Sequence, residues 1–379
     1  MDSKRVPAAV RSPNHHDSYP NGVPSRFPCL LLADKKEEHV RKKYFPNKKY
    51  IRKLLNRFPS LIRAEEKEDD VREVFSLSSK SISKIRLPEA SGKICMSSGG
   101  WILTVGDDFV TKLINPFTRQ IINLPIIYTF PEFASTSKWY IGFRKLVLVD
   151  SLSLVVVLWG CSGKLGFCRY EDEKWTAIVN GWDQMFLDIA YHKGRIYSFG
   201  CNHQIQACDV LEENPTIVTV TTLPKDLYGE WRNGYFVHKW LGGAYIVGGW
   251  EENVLLVVIR EGMYDNSEDE LCDEIYKTTS FRIFKYDLDS EEWSEVKDLG
   301  TKALFVGYSQ SFFMEEEESI IKGNCIYFTD DVFELYAVSF KGGGRDMGVY
   351  HMSSGTVEPH FEGESRSHLA PPIWLQPPV

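Results

Sequence analysis

The chain changes texture near residue 74. From there to the C-terminus, short runs of apolar, β-branched and aromatic residues alternate with clusters of Gly, Asn, Asp and Pro. The runs include Val74–Leu77, Trp101–Val105, Thr111–Ile114, Leu146–Val149, Leu154–Trp159, Arg195–Phe199, Val254–Ile259, Phe281–Tyr286 and Cys325–Thr329. Such residues suit the pleated, half-buried surface of a strand. Turn formers every several residues are the punctuation of an all-β sandwich, barrel or propeller. No long stretch of helical period lies between the runs, which excludes a fold built of βαβ units.

Repetition decides among the β architectures. Leu165 to Ile178 reads strand, acidic turn, strand, with Tyr170 before the turn and Trp175 after it. Phe281 to Val296 repeats that plan with Tyr286 and Trp293, and Thr111 to Pro125 is a third copy whose turn is Asn115-Pro116-Phe117-Thr118. Gly-led strand starts recur at Gly99-Gly100-Trp101, Gly194-Arg195, Gly242-Gly243-Ala244 and Gly323-Asn324-Cys325. Each unit reads as an inner strand starting after Gly, followed by an outer hairpin with a polar tip. A single four-stranded unit cannot bury both its faces, so such units stack radially into a propeller. At roughly 45 residues per blade, residues 75–379 hold about six or seven blades. In this scheme Gly lets inner strands crowd the axis, the Trp and Tyr pack between blades, and Val74–Leu87 closes the ring against the C-terminal strands.

The N-terminal part is different. Residues 1–25, rich in Pro, Ser, Asn and His, read as a disordered tail. Residues 26–74 form a charged segment, expected to be helical or irregular, with a local duplication: 26–40 resembles 57–71, eight of fifteen positions matching. Two copies make no solenoid. The basic stretch from Arg41 to Lys53 contains no acid and reads as a solvated helical face or a nuclear-import signal.

The blocks Ser97-Ser98-Gly99-Gly100-Trp101, Leu113-Ile114-Asn115-Pro116-Phe117-Thr118, Gly323-Asn324-Cys325-Ile326-Tyr327-Phe328-Thr329-Asp330-Asp331, Asp346-Met347-Gly348-Val349-Tyr350 and Pro371-Pro372-Ile373-Trp374-Leu375 occur in that order. Together they resemble the KIB-type β-propeller domain of plant F-box proteins; the Tyr and Trp hairpins are similar, more weakly, to kelch blades. The resemblance covers about residue 75 to the end. It implies a propeller that presents a protein substrate, joined in that family to an F-box that docks a Skp-type adaptor of a Cullin–RING ubiquitin ligase. Residues 1–74 do not show the Leu-Pro-rich amphipathic helices of an F-box, so the expected partner is a protein on one rim of the disc, and a Skp-type adaptor is in doubt.

Composition narrows the chemistry. A formal charge of −8 argues against a general nucleic-acid binder. No signal peptide or membrane span is evident, and the eight Cys include no CxxC pair, so reduced thiols in cytoplasm or nucleus are expected. No metalloprotease, Walker or nucleophile-elbow motif is present. Gly342-Gly343-Gly344-Arg345 misses the dinucleotide pattern at Met347 and reads as a flexible turn. The acidic groups Glu171-Asp172-Glu173, Asp287, Asp289 and Glu291-Glu292 fall in hairpin tips, where turn chemistry explains them. Asp330-Asp331 could offer oxygens to a cation but reads as a polar exit from a strand. His192, His203 and His238 lack metal-ligand spacing. No catalytic, cofactor-binding or metal-binding residue is therefore assigned, partner-binding residues are unknown, and the chain reads as a non-enzyme. The alternative is a propeller hydrolase or carbohydrate-binding protein, which needs two or three carboxylates converging at the mouth of the ring.

Overall fold

A computed structural model describes residues 27–32, 71–106, 109–130, 143–149, 154–160, 163–178, 185–212, 215–228, 240–264, 276–317, 320–331, 343–363, 365 and 371–376. The tail 1–25, the basic stretch and the second duplicated copy, apart from Val71, lie outside the described residues. The strands form a six-bladed β-propeller. Blade 1 is β4 (Ile94–Ser98), β5 (Trp101–Val105), β6 (Thr111–Ile114) and β7 (Ile121–Asn123). Blade 2 is β8 (Phe143–Val149), β9 (Leu154–Trp159), β10 (Lys164–Arg169) and β11 (Thr176–Ile178). Blade 3 is β12 (Phe186–His192), β13 (Arg195–Gly200), β14 (Gln204–Cys208) and β15 (Ile217–Thr222). Blade 4 is β16 (Trp240–Gly248), β17 (Val254–Tyr264), β18 (Tyr276–Asp287) and β19 (Trp293–Val296).

Blade 5 departs from the plan. It contains β20 (Lys302–Val306), β21 (Phe312–Glu315), β22 (Cys325–Phe328), β23 (Gly348–His351) and β24 (Thr356–Glu358), in the order β21-β20-β22-β23-β24. Here β20 and β22 run parallel, where every other pairing among the described strands is antiparallel. Blade 6 closes the ring with strands from both ends of the chain. The inner strand β25 (Ile373–Leu375) pairs with β1 (Cys29–Leu31), which pairs with β2 (Val71–Ser76), followed by β3 (Ser81–Arg86). Inner strands of successive blades pack on one another: β25 on β4, β4 on β8, β8 on β12 and β12 on β16.

Two expectations need correction here. The segment 26–74 is not uniformly irregular: Cys29, Leu30 and Leu31 form a fully buried strand between the two ends of the ring, and the closing sheet reaches back to Val71. An apolar triplet has no visible alternation because both its faces are covered, by blades 5 and 1. The Gly-led strands are also not generally inner ones. Gly99 and Gly100, at φ +53° and +80°, and the pair Lys193-Gly194, at +48° and +83°, form two-residue turns from the inner strand into the second strand. Both central residues are left-handed, as the twist of a tight hairpin demands, and a Cβ at Gly99 or Gly194 would meet nothing within 4 Å. Gly serves the turn there, not crowding at the axis.

The outer hairpins follow the predicted repeat in atomic detail. Asn115 Oδ1 accepts the N–H groups of Phe117 and Thr118 at 3.0 Å, and Asp287 Oδ1 accepts those of Asp289 and Ser290 at 3.0 Å. Each turn then passes through a left-handed residue, Arg119 or Glu291, whose N–H closes on the Asn115 or Asp287 carbonyl at 2.9 Å. The Trp residues reach the preceding blade: Trp175 Nε1 donates to Pro125 O at 2.7 Å and Trp293 Nε1 to Thr221 Oγ1 at 3.1 Å. Trp175 also stacks on Phe130, and Phe130 on Trp159, across the seam between blades 1 and 2.

Ring closure gives a direct test. A fragment of residues 75–379 keeps β25 and β3 but loses β1 and most of β2. It is expected to melt far below the full chain and with lost cooperativity, measured by circular dichroism at the β-sheet wavelength.

Candidate interaction surface

Strand direction assigns each connection to one of two rims. The connections that join strands within the hairpins of the first rim are short, such as 99–100, 115–120, 193–194, 249–253, 288–292 and 352–355. Every connection longer than about ten residues leaves from the opposite rim: 32–70, 124–142, 223–239, 265–275, 329–347 and 359–372. Among the described residues, this long-loop rim also carries exposed Ile126, Tyr128, Met185 and Met263, with Met263 60% exposed, while Tyr170 and Leu211 are exposed in turns of the first rim.

The axis between the rims is filled. The segment 307–311, which joins β20 to β21 in blade 5, is hydrogen-bonded to inner strands of three other blades. Lys145 Nζ on β8 donates to Gly307 O at 3.1 Å, and Tyr308 Oη donates to Phe143 O at 2.6 Å. Gln310 N donates to Ser97 O on β4 at 3.0 Å, and Trp374 N on β25 donates to Ser309 Oγ at 2.8 Å. Ser98 Oγ donates to Gln310 Oε1, and Ser97 Oγ contacts both Ser309 Oγ and Trp374 O. Blade 2 stands diametrically opposite blade 5, so a segment touching both must cross the channel.

Beside this crossing, Lys145 pairs with Asp188 of β12 at 2.9 Å, both almost fully buried. Burial pushes the Asp188 carboxyl up, against the pull of Lys145, and Asp188 Oδ2 also accepts Ile246 N at 3.1 Å from blade 4. The pair thus ties blades 2, 3 and 4.

A second buried network roots the long connection 329–347. Arg260 on β17 is fully buried. Its guanidinium donates to Thr278 Oγ1 at 2.7 Å, Thr329 O at 2.8 Å, Asp331 Oδ1 at 2.8 Å and Asp346 Oδ2 at 3.0 Å, and lies 4.8 Å from the centre of the Phe328 ring. Asp346 takes the Thr278 backbone N–H as well, and Tyr245 Oη donates to Asp331 Oδ2. Asp330 turns the other way: its carboxylate accepts Tyr276 Oη at 2.8 Å and the N–H groups of Gly344, Arg345 and Asp346. Burial raises the Asp330 carboxyl to about 6, with Asp346 adding to the shift and Arg260 opposing it.

These geometries place the residues singled out in the sequence. Asp331 and Asp346 pair with Arg260, and Asp330 accepts the Tyr276 hydroxyl and three backbone N–H groups, so the motif brackets the root of the 329–347 connection. Gly344-Arg345 is the backbone cradle of Asp330 and not a free turn. The acidic hairpin tips stay apart on the tight-turn rim, where Asp172 Oδ2 caps Arg169 N at 2.7 Å. His192 Nε2 meets Glu252 O at 3.0 Å, His203 is a partly buried turn residue, and His238 lies outside the described residues. No group of three His, Cys, Asp or Glu suited to a metal occurs among the described residues. Sequence reasoning missed Lys145 and Arg260. Their signal was a cation adjoining an apolar run, Lys145 directly before Leu146-Val147-Leu148-Val149 and Arg260 directly after Val254-Leu255-Leu256-Val257-Val258-Ile259.

The described residues form a six-bladed ring crossed at its axis by residues 307–311, with tight turns on one rim and the long connections leaving from the other. The sequence profile of the KIB1-4 β-propeller matches residues 74–351, and the chain belongs to that family. Its curated relatives from Arabidopsis thaliana include the F-box/kelch-repeat protein KIB1, 26% identical over 270 residues covering 69% of this chain and 61% of the relative. F-box protein KIB2 is 23% identical, covering 75% of this chain and 64% of the relative, and F-box protein SKIP23 is 24% identical, covering 56% and 51%. The chain therefore spans between half and two thirds of the length of these relatives. No helix among the described residues is long and apolar enough to cross a membrane.

Two outcomes are expected from the buried network and its surroundings. Arg260→Met leaves Asp331 and Asp346 as uncompensated buried charges and is expected to cost about 3–5 kcal/mol in urea unfolding, part of it recovered when both Asp are also changed to Asn. His360, buried and donating Nε2–H to Phe328 O at 3.0 Å, is held at about 4 by burial. Below its unfolded value near 6.5 the unfolded chain binds the extra proton, so His360 favours unfolding as pH falls from 6.5 towards 4. His360→Asn is expected to remove up to about 3 kcal/mol of that acid sensitivity, read as the difference between the two proteins' stability–pH curves.

Proposed function

We propose that this chain is a non-catalytic recognition propeller that holds a protein partner on its long-loop rim, as the substrate-holding part of an F-box-type ubiquitin-ligase subunit does. The observation that carries this is the asymmetry of the rims. The long connections and the exposed Ile126, Tyr128, Met185 and Met263 share one rim, while the channel behind it is closed by residues 307–311. Aromatic and Met side chains are the common anchors of protein interfaces, and a rigid blade ring positions them at little entropic cost. Membership of a family whose relatives are named F-box proteins supports the same conclusion. Free buried thiols support an intracellular setting, in cytoplasm or nucleus. No residue of the propeller is assigned to a Skp-type adaptor, nor to nucleic acid.

Affinity capture from plant extract with tagged full-length chain is expected to recover a defined protein partner. Tyr128→Glu combined with Met263→Glu should reduce that capture at least about tenfold while leaving the melting temperature unchanged. Equal capture by the double variant removes the rim from consideration. Binding of purified Skp-type adaptor by the full chain, assayed in parallel, reports separately on ligase assembly.

A further inference from the structure

On the outer half of blade 5, three adjacent strands bring a thiol, an imidazole and a carboxylate into line. Cys325 on β22 stands opposite His351 on β23, with Sγ 3.2 Å from Nδ1. His351 Nε2 lies 3.1 Å from Oε1 of Glu358 on β24, and Lys322 Nζ holds that same oxygen at 2.6 Å. The hydrogen bond from Lys322 is the largest cause holding the Glu358 carboxyl below its usual range. An ionised carboxylate can only accept, so Nε2 carries the ring proton and Nδ1 offers its lone pair to the thiol. This is the order nucleophile, base, orienting acid.

None of these four residues takes part in the rim or in the axial networks. Burial raises the Cys325 thiol to about 11, with Lys322 opposing, so at neutral pH the sulfur is protonated and depends on a base to react. Cys29 and Cys168 lie in the apolar core between blades, their thiols raised further by burial. Cys325 itself is 2% exposed, whereas the side chains of His351 and Glu358 are 19% and 46% exposed. The relay thus runs from the buried sulfur to the surface across β24, a three-residue outermost strand. Such a site admits a small reagent sooner than a bulky one.

We propose that Cys325 is a base-assisted modification site for small hydroperoxides. As sulfur attacks one oxygen of hydrogen peroxide, the thiol proton passes to His351 Nδ1. The S–O bond forms as the O–O bond breaks, and the departing hydroxide takes the proton from the imidazolium and leaves as water. Sulfur is oxidised by two electrons to a sulfenic acid and the peroxide is reduced. Glu358 stabilises the transient imidazolium, and Lys322 positions Glu358.

The test treats the full-length protein with hydrogen peroxide, traps sulfenic acid with dimedone and quantifies each Cys-containing peptide by mass spectrometry. The partly buried Cys201 serves as internal reference. Dimedone adduct is expected at Cys325 in the wild-type chain and is lost in Cys325→Ser. It is expected to form at least about tenfold more slowly in His351→Gln, and at an intermediate rate in Glu358→Gln, with Cys201 unaffected. Absence of adduct at Cys325 in the folded wild type overturns the proposal, as does an equal rate in His351→Gln. If His351→Gln melts early, Glu358→Gln decides: an unchanged rate overturns the proposal, a slowed rate with unchanged melting supports it.

Discussion

Each blade of this protein has two apolar faces and can cover neither by itself, so the fold exists only when the last blade meets the first. That meeting is made by β25 from the C-terminal end lying beside β1 and β2 from the N-terminal end, with Cys29, Leu30, Leu31, Trp374 and Leu375 all sealed from solvent. Trp374 shows how much depends on it. Its backbone N–H holds Ser309, its indole N–H holds Val306 O at 3.1 Å, and its ring meets Phe305 edge-on. One residue of the closing strand thereby joins the ring seam, the neighbouring blade and the segment that fills the axis.

The buried charges follow from that closure. Lys145, Asp188 and Arg260 could not be tolerated in an open stack of sheets, because each is stable only where a partner from another blade or another strand meets it. Lys145 faces Asp188 from the next blade, and Arg260 draws Asp331 and Asp346 from a loop of blade 5 onto blade 4. These pairs add geometric specification more than stability. They set how neighbouring blades sit against each other, and they brace the root of a long connection on the rim that the proposed partner would use.

What could be read in the sequence was local. The turn residues Asn115 and Asp287, the Trp residues that follow their hairpins and the left-handed Gly99-Gly100 turn each announce themselves within about ten residues. Their periodicity led to the propeller and to six or seven blades. What could not be read was non-local. Cys29–Leu31 is three residues long and has no alternation, and its partners lie 43 or more positions away. The inserted, parallel β20 of blade 5 breaks the period of the repeat without any compositional mark. The buried cations look like any charged residue until the fold supplies their carboxylates. The Gly-led starts were seen correctly as a repeat, but Gly99-Gly100 and Gly194 serve turns into the second strand while Gly242-Gly243 lies in the inner strand β16, since a Gly that serves a turn and a Gly within a strand are identical in sequence.

The crossing segment 307–311 changes what kind of object the ring is. A propeller held by contacts between adjacent blades is a loop of equal links, and thermal fluctuation opens it at the weakest one. Here blade 5 extends a strut to blade 2 on the far side and to blades 1 and 6 on the way. Parting the blades that this segment joins then strains bonds reaching across the axis, so opening at those seams is opposed from the far side. For a surface that must hold its loops in a fixed relative arrangement, the result is a wheel with a hub: strain applied at one sector of the rim is carried through the centre to the opposite sector.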